Sequence, residues 1–357
     1  MTSDLLPNDS YIKNYSRWAK GGWGMLITGN YMVDPNGLSG PGVFLVNNPA
    51  VTHEAQLERL RSFTTAARAN GSKIIGQLCH PGRAALILPG PGWCSKRNIA
   101  PSPLRMPIGE GLANRGLAAL LFGTPREMTR ADIEDVVDKF ARAAKTMADA
   151  GFDGVELHGA HGYLLSQFLS VIKAVKTVVP AGFIVGIKLN STDYQTDRSG
   201  LAVKAGHAMD AEKQLQEVIQ QSAAIAAAEV DFLEVSGGTY ADPRMARGPP
   251  KSTRTQNRET FFLNSAETLR ASFPDVPLMV TGGLCSRGGM EEVVAGGGVV
   301  GVGRASIINP ILPIDVVLNR DVKDTDARVA ILKSKVPCAT NGGGGGIFAW
   351  WMIRGVG

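Results

Sequence analysis

Residues 150–170 read AGFDGVELHGAHGYLLSQFLS, and the fold is decided by how this stretch is parsed. Its first half, FDGVELH (152–158), is an apolar run of strand length that ends in a histidine. A longer amphipathic run at 129–149 precedes it, with Thr129 and Asp132 spaced as a capping box at its start. The same unit recurs in both directions along the chain. Strands are expected at 24–30 (GMLITGN), 73–79 (KIIGQLC), 183–189 (FIVGIKL), 231–237 (DFLEVSG), 277–283 (PLMVTGG) and 299–305 (VVGVGRA). Helices are expected near 8–20, 52–69, 171–178, 211–228, 259–272 and 286–295. Strands alternating with helices make a parallel sheet. Strands this apolar are covered on both faces. Seven strands are visible, and that count fits an open doubly wound sheet as well as a closed barrel.

The chain has 357 residues, more than the roughly 250 of a typical (β/α)8 barrel. Hydrophobic residues make up 44% and charged residues 19%, which provides for a large core and argues against disorder. The net charge is +5, but lysines and arginines are scattered, so no nucleic-acid partner is expected and only a mild preference for anions. Cys79, Cys94, Cys285 and Cys338 form no CxxC pair and match neither a zinc nor an iron–sulfur spacing, so no metal is expected. They read as thiols of a reducing, cytoplasmic compartment. The opening residues lack an apolar signal-peptide core, and no stretch of 18 apolar residues suggests a membrane span.

Residues 80–128 break the rhythm. They are rich in Pro and Gly and contain no long periodic segment. A loop of that length following a strand is expected to cap the C-terminal face of the sheet, where barrel active sites lie.

Several constellations sit at strand ends. Gly282 and Gly283 end one expected strand, and Gly303 with Arg304 ends the next. Glycines admit a phosphate close to backbone N–H groups, and an arginine adds charge and a fork of donors. His158, His161 and Tyr163 fall within six residues at another strand end. Two imidazoles there can donate to one carbonyl oxygen, and the phenol can deliver a proton. A metal site is the competing reading, but HEXXH and a neighbouring third ligand are missing. Gln77 carries an amide suited to a heterocycle edge with mixed donors and acceptors. Lys188, in a barrel mouth, suits either a Schiff base or an anion contact, and the residue alone does not separate these.

The ordered motifs GWGMLITGNYMVD, GQLCHPGRA, APSP with PREMT, AGFDGVELHGAHGYLLSQFLS, VGIKLNS, LEVSGGTY, VTGG and GVGR resemble the Old Yellow Enzyme family, in its NADH:flavin oxidoreductase branch. The resemblance implies a (β/α)8 TIM barrel that binds FMN, is reduced by NAD(P)H and passes hydride to the C=C bond of an enone-like substrate. It implies that His158 and His161 hold the substrate oxygen and that Tyr163 donates the proton. It implies flavin contacts from Thr2, Gln77 and Lys188, and a phosphate site at Gly282, Gly283, Gly303 and Arg304.

The resemblance also carries two departures. The family's first strand is largely absent, with Thr2 at its end. A segment that follows QFLS in the family is missing, so that Ser170 runs directly into VIKAVKTVV. The crossover to the next strand is therefore expected to be short, near the dozen or so residues a parallel connection requires. The expected organisation is one FMN-binding barrel over 1–335 and a Gly-rich tail over 336–357. An impaired family member that binds FMN weakly, and a lyase or aldolase working through Lys188, are the alternative functions.

Overall fold

The computed structural model describes residues 4–40, 43–87, 98–108, 111–167, 170–190, 225, 227–236, 270, 274–282 and 284–329. Thr2, Gly283, Cys94, Cys338, the tail, the expected helix at 259–272 except residue 270, and most of that at 211–228 lie outside these residues.

Seven principal strands appear in the expected order: β1 (Met25–Ile27), β2 (Lys73–Cys79), β3 (Gly154–Gly159), β4 (Ile184–Asn190), β5 (Phe232–Ser236), β6 (Leu278–Thr281) and β7 (Val299–Gly301). Neighbours in sequence are neighbours in the sheet, and all pairs are parallel. Two-residue strands at Tyr31–Met32 and Phe44–Leu45 extend the edge beside β2. The helices described on the outside are α1 (Asp9–Ala19), α2 (His53–Ala67), α3 (Arg130–Asp149), α4 (Ser170–Val178) and α5 (Arg287–Ala295). This is the α/β architecture of a (β/α)8 fold.

Local chemistry explains the helix starts. Asn8, Thr52 and Ser286 accept from backbone N–H groups of their first turns. Thr129 and Asp132 form the full capping box of α3, and Arg126 grips the Asp132 carboxylate with two bonds of 2.8 and 2.7 Å.

Side chains divide by the strand period of two. Ile74, Leu78, Val155, Leu157, Val185, Ile187, Leu189, Leu233, Val235, Leu278 and Val280 point outward. They share one large core with Phe63, Phe140, Met147, Ile172 and Val175 of the helices. The inward positions form a second, smaller cluster of Ile75, Phe232 and Met279 with Met25, Ile27 and Ile184. Inward residues further along the strands are polar: Gln77, Glu156, Lys188, Glu234 and Thr281. The sheet interior is thus apolar at the start of the strands and polar toward their ends, which is where a barrel keeps its chemistry.

The short crossover is accommodated. The nine residues of α4 pack along α3, and Gly182 at φ +78° turns the chain into β4. β3 and β4 then pair over six positions, from Gly154↔Ile184 to Gly159↔Leu189.

The two sheet edges are drawn together from outside. Trp18 of α1 donates to the Ser306 carbonyl at 2.7 Å, and Trp23, just before β1, donates to the Pro310 carbonyl at 2.7 Å. Residues before β1 are thereby tied to residues after β7. Among the described residues no pairing joins β1 to β7 directly.

The 80–128 segment differs from the expectation of an aperiodic loop, because Leu112–Phe122 is helical. LANRGLAALLF is apolar on nearly every face, which hides its period. Ala118 and Phe122 are buried against Met32, Cys79 and Met106, while Leu112 and Leu120 face outward.

Candidate active site

β3 ends in His158-Gly159, and the chain then turns sharply. His161 and Gly162 take positive φ values of 61° and 77° in succession. A left-handed residue that is not glycine is uncommon and concentrates at functional turns. The turn folds His161 back on His158, with His161 Nδ1 3.2 Å from His158 Nε2. Tyr163 is buried and stands edge-on to His158, ring centroids 4.7 Å apart.

The hydrogen bonds set the tautomers. The Ala160 N–H donates to His158 Nδ1 at 3.3 Å, so the His158 proton lies on Nε2 and is donated to His161 Nδ1. His161, accepting at Nδ1, carries its own proton on Nε2. Burial first, and the Lys188 charge second, lower its pKa to about 3, against a smaller opposing effect of Glu234. His161 is therefore a neutral donor at neutral pH.

Lys188 is the register partner of both His158 and Glu234. Burial acts to lower its pKa, but the Glu234 and Glu156 charges and the bond from its Nζ to the Glu234 carboxylate outweigh this and hold it raised. Glu234 is 2% exposed; burial acts to raise its pKa, yet the Lys188 charge and hydrogen bond, with the neighbouring Glu156 and Thr281 side chains, bring it down to about 2. Glu156 is fully buried, and desolvation with the Glu234 charge pushes its pKa well above the ordinary carboxylate range, against Lys188 and Gln77. Gln77 donates from Nε2 to Glu156 Oε2 at 2.5 Å, and its backbone N–H donates to Thr28 Oγ1 at 2.9 Å.

Gly282 and Gly303 lie beyond the adjacent ends of β6 and β7, whose last paired positions are Thr281↔Gly301. Gly282 has φ +108°, and a Cβ built on either glycine meets no atom within 4 Å. That open space beside backbone amides is what a phosphate group needs. Arg304 is half-buried at the first turn after Gly303.

The fold thus assembles Gln77, His158, His161, Tyr163 and Lys188 at one end of neighbouring strands, with Gly282, Gly303 and Arg304 at the ends of β6 and β7. Among the described residues no three His, Cys, Asp or Glu side chains are grouped to hold a metal ion. No described helix is long and apolar enough to cross a membrane.

Glu156 and Glu234, which contact Gln77 and Lys188, join the candidate site although the sequence did not single them out. Their signal is present: a carboxylate two residues before His158 and another two before Ser236, each inside an apolar strand. His80 of GQLCHPGRA is part of a supporting network instead. Its Nε2 lies 3.5 Å from Asp34, which accepts from Lys139 at 2.7 Å.

Residues 2–185 match the NADH:flavin oxidoreductase / NADH oxidase family. The chain is 37% identical over 94% of its length to the NADH-dependent flavin oxidoreductase iliE of Neonectria sp. (strain DH2), of which it spans 47%. It is 35% identical over 98% of its length to the protein of the same name from Hypocrea jecorina (strain QM6a), of which it spans 87%. A solved 2-naphthoyl-CoA reductase in complex with 2-naphthoyl-CoA superposes with a TM-score of 0.68 at 20% identity, covering 91% of this chain and 49% of that one. The chain belongs to the NADH:flavin oxidoreductase / NADH oxidase family, the Old Yellow Enzyme class of oxidoreductases, whose cofactor is FMN and whose reductant is a nicotinamide nucleotide. The open glycines, Arg304 and the Gln77–Lys188 pair are a donor set that fits FMN.

Proposed function

We propose that this protein is an FMN-dependent ene-reductase that uses NADH or NADPH to reduce the C=C bond of α,β-unsaturated carbonyl compounds. The observation that carries the reading is the hydrogen-bond chain Ala160 to His158 to His161, with Tyr163 edge-on to His158 and the Lys188 charge acting on a neutral His161. When bound, FMN would supply the redox chemistry of hydride transfer between nicotinamide and substrate.

The chain's own residues do the rest. Gly282, Gly303 and Arg304 would hold the phosphate, and Gln77 and Lys188 would contact the ring system; Thr2 and Gly283, which the resemblance adds to this set, lie outside the described residues. His161, oriented by His158, donates to the substrate carbonyl oxygen and withdraws charge from the conjugated bond. Tyr163 delivers the proton to the carbon next to the carbonyl. The Lys188 ammonium, paired with Glu234, is not a nucleophile, which counts against the lyase reading.

The test is direct. Purified protein should carry or take up FMN with its visible absorbance, and should oxidise NADH or NADPH only slowly until an enone is added. A colourless protein that takes up no FMN, or a flavoprotein that enones never re-oxidise, contradicts the proposal.

A further inference from the structure

Three ionisable groups meet on the inward face of β3, β4 and β5: Glu156, Lys188 and Glu234. Two acids and one base, fully ionised, would leave an uncompensated negative charge in a dry interior, at a cost that retaining one proton avoids. The partners decide which acid keeps it. Glu234 has the Lys188 ammonium. Glu156 has an amide donor at Oε2, from Gln77, while its buried Oε1 receives no donor and the neighbouring group acting on the acid is the Glu234 carboxylate. An oxygen facing a carboxylate must carry the proton itself.

We infer that Glu156 is a positioning residue. As a neutral carboxylic acid it accepts from Gln77 at Oε2 and donates from Oε1 to Glu234, which in turn holds Lys188. One chain of hydrogen bonds, Gln77 to Glu156 to Glu234 to Lys188, then links both described side chains placed against the flavin ring. It fixes the Gln77 amide with Nε2 toward Glu156 and its oxygen left for a ligand. It also holds the Lys188 ammonium in register beside His158. The groups facing Glu156 are Gln77 from β2, Lys188 from β4 and Glu234 from β5.

The flavin part of this inference rests on the FMN reading; the protonation part does not. Infrared spectra of the FMN-free wild-type protein at neutral pH should contain the C=O stretch of a buried protonated carboxyl group, and Glu156→Gln should remove it. Glutamine reproduces the acid's pattern, accepting at oxygen and donating from nitrogen. Glu156→Gln should therefore keep FMN affinity within about twofold of wild type, whereas Glu156→Leu, which breaks the chain, should weaken it about tenfold. Absence of the band in wild type, its persistence in Glu156→Gln, or equal loss of FMN affinity in both variants overturns the inference. Should the leucine variant fail to fold, the band and the glutamine variant still decide. A wild-type protein that shows the band but binds no FMN defeats the FMN reading alone.

Discussion

At the residue scale the site turns on protons whose positions the hydrogen bonds dictate. Tyr163 is held edge-on to His158 in a pocket with Met106 and Leu38, a rigid setting for a proton donor. Tyr163→Phe removes the proton and little of the packing. Stopped-flow traces should show the oxidative half-reaction with an enone slowed by about 10²–10⁴-fold, as for loss of a general acid, while reduction by NADH is unchanged. Equal effects on both halves, or none, would remove Tyr163 from the proton-donor role. That His158, His161 and Tyr163 gather at one strand end was legible from type and spacing. The unequal parts of the two histidines were not. Which imidazole nitrogen carries the proton follows from the Ala160 N–H and the left-handed backbone at His161, and neither is written in residue identities.

At the element scale the strands were legible because each is short, apolar and bounded by small residues. Which side of each strand faces inward was also encoded. Gln77, Glu156, Lys188 and Glu234 fall on the inward parity, while the outward positions of the same strands are aliphatic. The Leu112–Phe122 helix was missed because an apolar residue on nearly every face leaves no period to read. Inward packing also depends on one glycine. Gly186 and Phe232 are register partners on β4 and β5, and a Cβ at Gly186 would lie 2.1 Å from the Phe232 ring. Phe232 is buried with Ile75 and Met279 and has nowhere to retreat. Gly186→Ala should lower stability by about 1–3 kcal/mol in urea titrations, the cost of overpacking a core. Adding Phe232→Leu should recover part of that loss. A neutral Gly186→Ala would show that the interior layer is looser than this contact implies.

At the scale of the whole molecule two features govern stability, the tie between the sheet edges and the buried charges. The tie consists of indole donors to carbonyls that follow β7, so Trp23→Phe should cost about 0.5–1.5 kcal/mol by removing one hydrogen bond. Unchanged urea midpoints would show that the edges are held by packing alone. The buried charges predict an unusual pH profile. His161 has its pKa lowered from 6.5 to about 3 on folding, so between those values the unfolded chain binds the extra proton and acidification destabilises the fold. Glu156 acts in the opposite sense. Its folded pKa is raised above 4.5, so the stability it contributes is complete below 4.5 and declines as pH rises toward its folded pKa. Each has a limiting slope of ~1.4 kcal/mol per pH unit for one proton. Above pH 4.5, as far as the folded pKa of Glu156, the two oppose each other. Glu234, lowered to about 2, and Asp34, lowered by His80 and Lys139 against its burial, give stability that is lost only at more acidic pH. Urea midpoints of the wild-type protein should therefore vary less with pH just above 4.5, where the two effects oppose, than below it, where they should fall steeply. Glu156→Gln removes one of the opposed slopes, and its stability should climb with pH across the same window. A level profile in that variant would mean that His161 is not held neutral by the fold.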